Sequence, residues 1–267
     1  MKLTRLLLCT LVLSRCAGSA FAQVTPSDEV LLKKARAIYD QPFLQGLVSF
    51  DCQVMFDWKA HFLELLQTIP PSAEPTVSTL QAIQHRVFVD RSGAVVSAVP
   101  KEPNLAGVLK GQELEQAFKQ MVGGGINAWM PFGTNVILPM GSTKYQFEKL
   151  PSGYKLVMNG PGVASTLLLE EDLRLTSGVS TQPQPMRFTT QFISGPHGLL
   201  LQSVKTSDTT GSGAEASFSY DYQEVQGVQL PSMVHVKPAT SELWEYHLSD
   251  CKVVKGIVIE VGLPKSK

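Results

Sequence analysis

The sequence predicts a mainly β (α+β) fold: a curved antiparallel sheet or incomplete β-barrel of about ten strands, covered by two or three helices. Three observations predict it. From Ala216 to Val254, Phe218, Tyr220 and Tyr222 alternate with Ser217, Ser219, Asp221 and Gln223, and Trp244, Tyr246 and Leu248 alternate again. This is the period-two pattern of strands with one dry and one wet face. The same rhythm, broken by Gly-, Pro- and Asn-rich turns, runs from Tyr145 onward. Two stretches of helical period supply the cover that such a meander needs for its apolar face.

Thr25-Pro26-Ser27-Asp28 is a helix start: Thr25 caps, Pro26 fits the first turn and Asp28 complements the dipole. Leu31, Ala35 and Ile38 then recur at helical spacing, giving an amphipathic helix from Pro26 to about Tyr39. Leu47 to Asp57 reads as the first strand. Trp58 to Thr68 has helical spacing, and the Pro/Ser/Glu-rich piece from Pro70 to Ser78 reads as a loop. His85 to Asp90 and Ala94 to Val99 form a hairpin. A second helix is expected over Asn104 to Val122, with Leu105, Val108, Leu109, Leu114, Phe118, Met121 and Val122 on its stripe, ended by Gly123-Gly124-Gly125. Ile126 to Met140 is strongly apolar but carries Pro131, Gly133, Pro139 and Gly141, so it is expected to be irregular. Strands follow over Tyr145–Lys149, Tyr154–Met158, Val163–Glu170, Leu173–Val179, Arg187–Ile193 and Leu199–Lys205. In the final meander Gln226-Gly227 supplies the positive φ angles of a tight hairpin, and Pro231 marks a strand start or an edge.

The first 22 residues read as a secretory signal peptide and residues 23–267 as a single β domain. Lys2 and Arg5 precede the apolar run Leu6 to Leu13, and Ala20-Phe21-Ala22 forms a cleavage site before Gln23. A lipoprotein signal ending at Cys16 is the competing reading, but Arg15 stands where a small residue is expected. Cleavage near Ala22 predicts a periplasmic or secreted protein. It also removes three basic residues (Lys2, Arg5 and Arg15) and no acidic one, leaving 20 Lys and Arg against 23 Asp and Glu. No basic cluster remains, which argues against nucleic acid or an anionic membrane surface as the main partner. Cys52 and Cys251 are the cysteines left after cleavage. In an oxidising compartment they read as one disulfide tying the first strand to the last, with two separate buried thiols as the alternative.

No catalytic or cofactor motif is present, so the chain is not expected to be an enzyme and no cofactor is expected. His61, His85, His197, His235 and His247 form no His-Glu-x-x-His, and there is no Cys-x-x-Cys, so the strong zinc patterns are missing. Asp57, His61 and Glu64 fall at helical spacing but read as a solvated helix face. Ser177, Ser194 and Ser212 lie near glycines but not in Gly-x-Ser-x-Gly. Gly123 to Gly125 follows a helix and so cannot cradle a phosphate as a helix-opening loop does.

The run Tyr220-Asp-Tyr-Gln-Glu-Val-Gln-Gly-Val-Gln-Leu-Pro, with Tyr222, Val225, Gly227, Pro231 and Tyr246 in a strand–turn–strand pattern, resembles the LolA/LolB-type outer-membrane lipoprotein carriers. The early helix running into a strand, and the helical insertion before a long meander, match the same order of elements. Cys52, Phe56, Asp57 and Trp58, and then Met121, Trp129 and Pro131, are similar to uncharacterised secreted relatives. The resemblance implies an incomplete β-barrel with a helical lid that binds acyl chains in its cavity. No motif transfers the carriers' functional arginine onto Arg86, Arg91, Arg174 or Arg187.

The expected function is therefore a periplasmic carrier or binding protein for lipids or acylated proteins, using an apolar cavity. Its hydrophobic ligand-binding residues are expected to be Trp129, Met130, Phe132, Ile137 and Met121. The expected partners are a hydrophobic ligand or lipoprotein acyl chains, with transient contact to a membrane or a protein. The alternative is a secreted structural or sensing module that binds a protein partner and no small molecule.

Overall fold

The computed structural model describes residues 26–61, 74–99, 111–134, 137–160, 162–182, 185–209, 215–239 and 243–256. The expected signal peptide, the Thr25 cap, and the helical readings of residues 62–68 and 104–110 lie outside these.

The described helices are α1 (Pro26–Ala37), α2 (Trp58–His61), α3 (Glu74–Ala82) and α4 (Gly111–Gly133). The strands are β1 (Leu47–Met55), β2 (Gln84–Asp90), β3 (Gly93–Val99), β4 (Lys144–Leu150), β5 (Gly153–Gly160), β6 (Val163–Leu169), β7 (Leu175–Gln182), β8 (Met186–Gly195), β9 (Gly198–Asp208), β10 (Glu215–Val225), β11 (Val228–Pro238) and β12 (Trp244–Lys255). All twelve belong to one antiparallel sheet in the order β3-β2-β1-β12-β11-β10-β9-β8-β7-β6-β5-β4. The sheet stays open, with β3 and β4 as its edges. It is thus a mainly β, curved incomplete barrel, two strands larger than the expected ten or so.

Register carries the hydrophobic pattern across the sheet. Phe147, Leu156, Leu167, Gly178 and Phe188 are successive partners on β4 to β8 and are all buried. A Cβ at Gly178 would lie 2.4 Å from Phe188 Cζ and 2.7 Å from Leu167 Cδ2, so the glycine lets these two side chains meet over it. Gln226 and Gly227 adopt φ angles of 53° and 77°, which make the tight hairpin between β10 and β11.

The sheet closes upon itself in sequence terms through β1 and β12. Their register shifts between Asp51 and Gln53, and Asp250 opposite takes a φ of 44°. This β-bulge brings Cys251 level with Cys52, and the two are joined by a disulfide.

Helix α4 departs from expectation. It continues through Gly123, Gly124 and Gly125 and runs on to Gly133, so Ile126 to Gly133 is helical where an irregular segment was predicted. The reason is packing. A Cβ at Gly125 would sit 2.5 Å from Tyr246 Oη, 3.1 Å from Val234 Cγ1 and 3.2 Å from Val236 Cγ2. The missing side chain lets the helix backbone settle onto β11 and β12, and that tertiary contact outweighs glycine's poor intrinsic propensity. Pro131 is tolerated because it falls in the last turn. The second departure is α3, which occupies Glu74–Ala82 where Pro70 to Ser78 was read as a loop. Pro75 stands in its first turn, where a missing N–H costs nothing.

Two turns of α4 show how strongly the sheet curves. Val122 accepts from Tyr246 of β12, Gly125 from Tyr220 of β10, Asn127 from the Ala94 N–H of β3, and Trp129 packs on Phe50 of β1. In a flat sheet β3 and β10 would stand about 24 Å apart, at roughly 4.8 Å per strand. Eight residues of helix rise only about 10 Å or so, and the sheet must therefore wrap round them.

Candidate functional site

Helices α1 and α4 lie on the same concave side: both pack into one apolar core, and the chain leaving α1 meets α4 at Phe192 of β8. The Tyr39 ring, just past the end of α1, lies 5.1 Å from Phe192, and Phe132 of α4 lies 5.9 Å from it. Trp129 points into the same interior, 6.5 Å from Phe43 and 6.2 Å from Phe50, and is 3% exposed. Met130 and Phe132 are also buried. Met121, two turns earlier on α4, and Ile137, whose N–H donates to Pro131 O, are partly buried against the same core. The structure thus brings Trp129 and Phe132 to one end of the concave face. Met121 packs further along the helix.

A cavity borders Trp129, Phe132, Phe192, Tyr222, Tyr39 and Asp40, with a free volume of about 10 Å³. That is room for about one water molecule. In this conformation the aromatic side chains fill the space themselves, so a chain-length ligand enters only if α4 moves.

Apolar packing of Phe118, Val122, Ile126 and Trp129 holds α4 on the sheet, and hydrogen bonds add to it. Tyr220 and Tyr246 are fully buried, and their hydroxyls donate to the Gly125 and Val122 carbonyls at 2.9 and 3.1 Å. Burial raises both phenol pKa values far above the usual range, so each stays a donor. At the far end of α4, Arg36 Nη2 of α1 donates to Pro139 O in the segment that follows the helix. Burial lowers the Arg36 pKa.

The alternation pattern had already placed Tyr220 and Tyr246 on the dry face, but it could not name their partners. Arg36 was missed altogether. The arginines weighed from sequence serve elsewhere. Arg86 pairs with Asp51 at 3.0 Å and Asp250 at 3.7 Å, Arg91 donates to Phe43 O, Arg174 pairs with Glu170, and Arg187 is exposed.

A buried polar pair lies between the N-terminal half of α4 and β2. His85 Nε2 lies 3.6 Å from Glu115 Oε1, and Lys119 Nζ lies 2.5 Å from the same oxygen; His85 and Glu115 are both buried. Burial lowers the His85 pKa below 6.5, outweighing the pull of Glu115. The folded state therefore resists protonation more than the unfolded chain does. The resulting stability is fully present above about pH 6.5 and falls as pH drops from there toward the lowered folded value. Urea titrations between pH 7.5 and 5 should show this slope in the wild type and a flatter one in His85→Phe; equal slopes would remove His85 as the cause.

Other clefts hold less chemistry. One of about 470 Å³ lies at the strand ends beside Val54, Phe56, Trp58, His85 and His247. Its Gln81 side chain is committed to the backbone, donating to Phe56 O and accepting from Trp58 N–H. Another, about 700 Å³, is a solvent-facing groove by Leu150, Tyr154 and the acidic turn Glu170–Asp172. Asp57 caps α2, accepting the Ala60 N–H at 2.9 Å. Among the described residues, no group of three or more His, Cys, Asp or Glu side chains is arranged to hold a metal ion.

No protein-family model matches the chain. No curated protein matches it either. Among solved structures, it is similar to the crystal structure of a LolA superfamily protein from Nitrosomonas europaea. The two share 12% identity, with a TM-score of 0.34 over 86% of this chain and 94% of that one.

Proposed function

We propose that this protein is a periplasmic or secreted carrier that takes up hydrophobic ligands, lipids or the acyl chains of acylated proteins, beneath α4 on the concave face. The observation that carries this reading is α4 itself. It covers an apolar face, yet it contains Gly123, Gly124 and Gly125. Three glycines weaken a helix by about 3 kcal/mol relative to alanine. A helix burdened with three glycines, and pinned by two tyrosine hydroxyls beside its apolar packing, suits a cover that can lift. Trp129, Met130 and Phe132 on its last turns would line the space it vacates. An acyl chain of about eight carbons buried there contributes roughly 6 kcal/mol, enough to offset partial lifting of the helix.

The test loosens the cover without touching the apolar lining. Tyr220→Phe with Tyr246→Phe removes two hydrogen bonds of about 1 kcal/mol each. If opening limits binding, a fluorescent fatty acid should bind the double variant up to about thirtyfold more tightly than the wild type. No fluorescence gain with either protein would end the carrier reading.

The filled cavity favours a second reading, a secreted module that binds a protein partner and no small molecule. In that case the two tyrosine substitutions would lower stability and change nothing else.

A further inference from the structure

Within the aromatic cavity beside Trp129 and Phe132, one group is out of place. Asp40 is 5% exposed and borders that cavity. Its Oδ1 accepts from Gln45 Nε2 at 3.0 Å. Its Oδ2 is buried and makes no hydrogen bond of normal geometry, although the Gln41 N–H and the His197 ring also act on the carboxylate. Among the described residues, no ion pair includes Asp40; Arg36, four residues earlier and half-buried, donates its Nη2 to Pro139 O. The backbone leading into Asp40 is tied to β9: Asp40 N–H donates to Leu199 O at 3.0 Å and Leu199 N–H to Ile38 O at 2.7 Å. Gly198 permits this close approach, since a Cβ there would lie 2.7 Å from Asp40 N. A carboxylate oxygen without a donor in an apolar surround is strongly unfavourable. Asp40 borders the aromatic cavity, and its second carboxylate oxygen has capacity left for a donor there.

We propose that the ligand accepted beneath α4 is an amphiphile with a primary ammonium head, whose N–H groups bind Asp40 while its apolar chain runs against Trp129 and Phe132. The proposal rests on the carrier reading and specifies its substrate class. An ammonium brings both the missing donor and the opposite charge, the strongest form of hydrogen bond to a carboxylate. Burial also raises the Asp40 pKa, which an ammonium would reverse. The apolar chain needs more room than the cavity now offers, and the last turn of α4, with Pro131 and Gly133, is the wall nearest to it.

Titration calorimetry with dodecylamine, dodecyltrimethylammonium and dodecanol, each below its aggregation limit, tests this. The three share a chain and differ in charge and N–H content. Dodecylamine should bind the wild type at least about tenfold more tightly than the other two, and Asp40→Asn should abolish that advantage while leaving dodecanol unchanged. Equal binding of all three overturns the ammonium proposal, assigns Asp40 an ordinary buried water, and leaves the carrier reading intact. Binding of none overturns both. A dodecylamine preference that survives in Asp40→Asn overturns the role of Asp40. Should Asp40→Asn fail to fold, the ranking of the three ligands in the wild type still decides.

Discussion

Replacing Cys52 and Cys251 together by alanine should lower the free energy of unfolding by about 5 kcal/mol, the largest single effect expected in this chain. The bond closes a loop across a sequence separation of 199 residues. Without it the unfolded chain regains the entropy of that loop, which grows with the logarithm of its length. The native state loses little in exchange, because β1 and β12 keep their backbone pairing. Urea unfolding of the double variant against the oxidised wild type measures the difference. A loss below about 1 kcal/mol would mean that the unfolded state already keeps these two strands together.

Neighbouring glycines in α4 should respond with opposite signs. Gly124→Ala meets nothing within 4 Å, so the helix should gain about 1 kcal/mol of propensity. Gly125→Ala drives a methyl group onto Tyr246 Oη, at 2.5 Å, and onto Val234 and Val236. That hydroxyl is fully buried and already donates to Val122 O, so it has nowhere to go. Overpacking of this kind costs about 1–3 kcal/mol, and the helix must either lift or push β12 aside. Thermal melts of the two single variants give the answer. If both rise, α4 does not sit on the sheet in solution as described. If Gly125→Ala also binds the fatty-acid probe more tightly than the wild type, the helix is the moving part.

The contrast between those glycines also shows what a sequence can and cannot reveal. Strands were legible because alternation is local: Phe218, Tyr220 and Tyr222 announce their face within five residues. Hairpins were legible because Gln226-Gly227 has few other uses. Helix α4 was cut short at Gly123 because propensity argues against three glycines in a row, and the contact that overrides it comes from β11 and β12, more than a hundred residues away. Trp129, Met130 and Phe132 were legible as apolar side chains close together, but not as the last turns of a helix. The polar contacts of the site were hidden for the same reason. Tyr220 meets its carbonyl across 95 residues, Tyr246 across 124, and Arg36 reaches Pro139 across 103. Asp40 looks like any acidic residue after a helix until β9 is laid beside it.

The strand order also dictates a sequence of events. From β5 to β12 each strand pairs with the one just before it, so this half can zip up hairpin by hairpin from contacts close along the chain. The hairpin of β2 and β3, with β1 beside it, is local too. The two halves meet only at β1 and β12, the first strand and the last. In a chain that emerges from its N-terminus, β1 to β3 therefore appear early and wait for a partner that arrives at the very end. Throughout that interval one flank of β1 is bare, and Cys52 is a free thiol with no native partner in reach. Closure of β1 onto β12 therefore waits for the completion of the chain, and a factor that shields nascent strands or thiols would have this short N-terminal piece to act on.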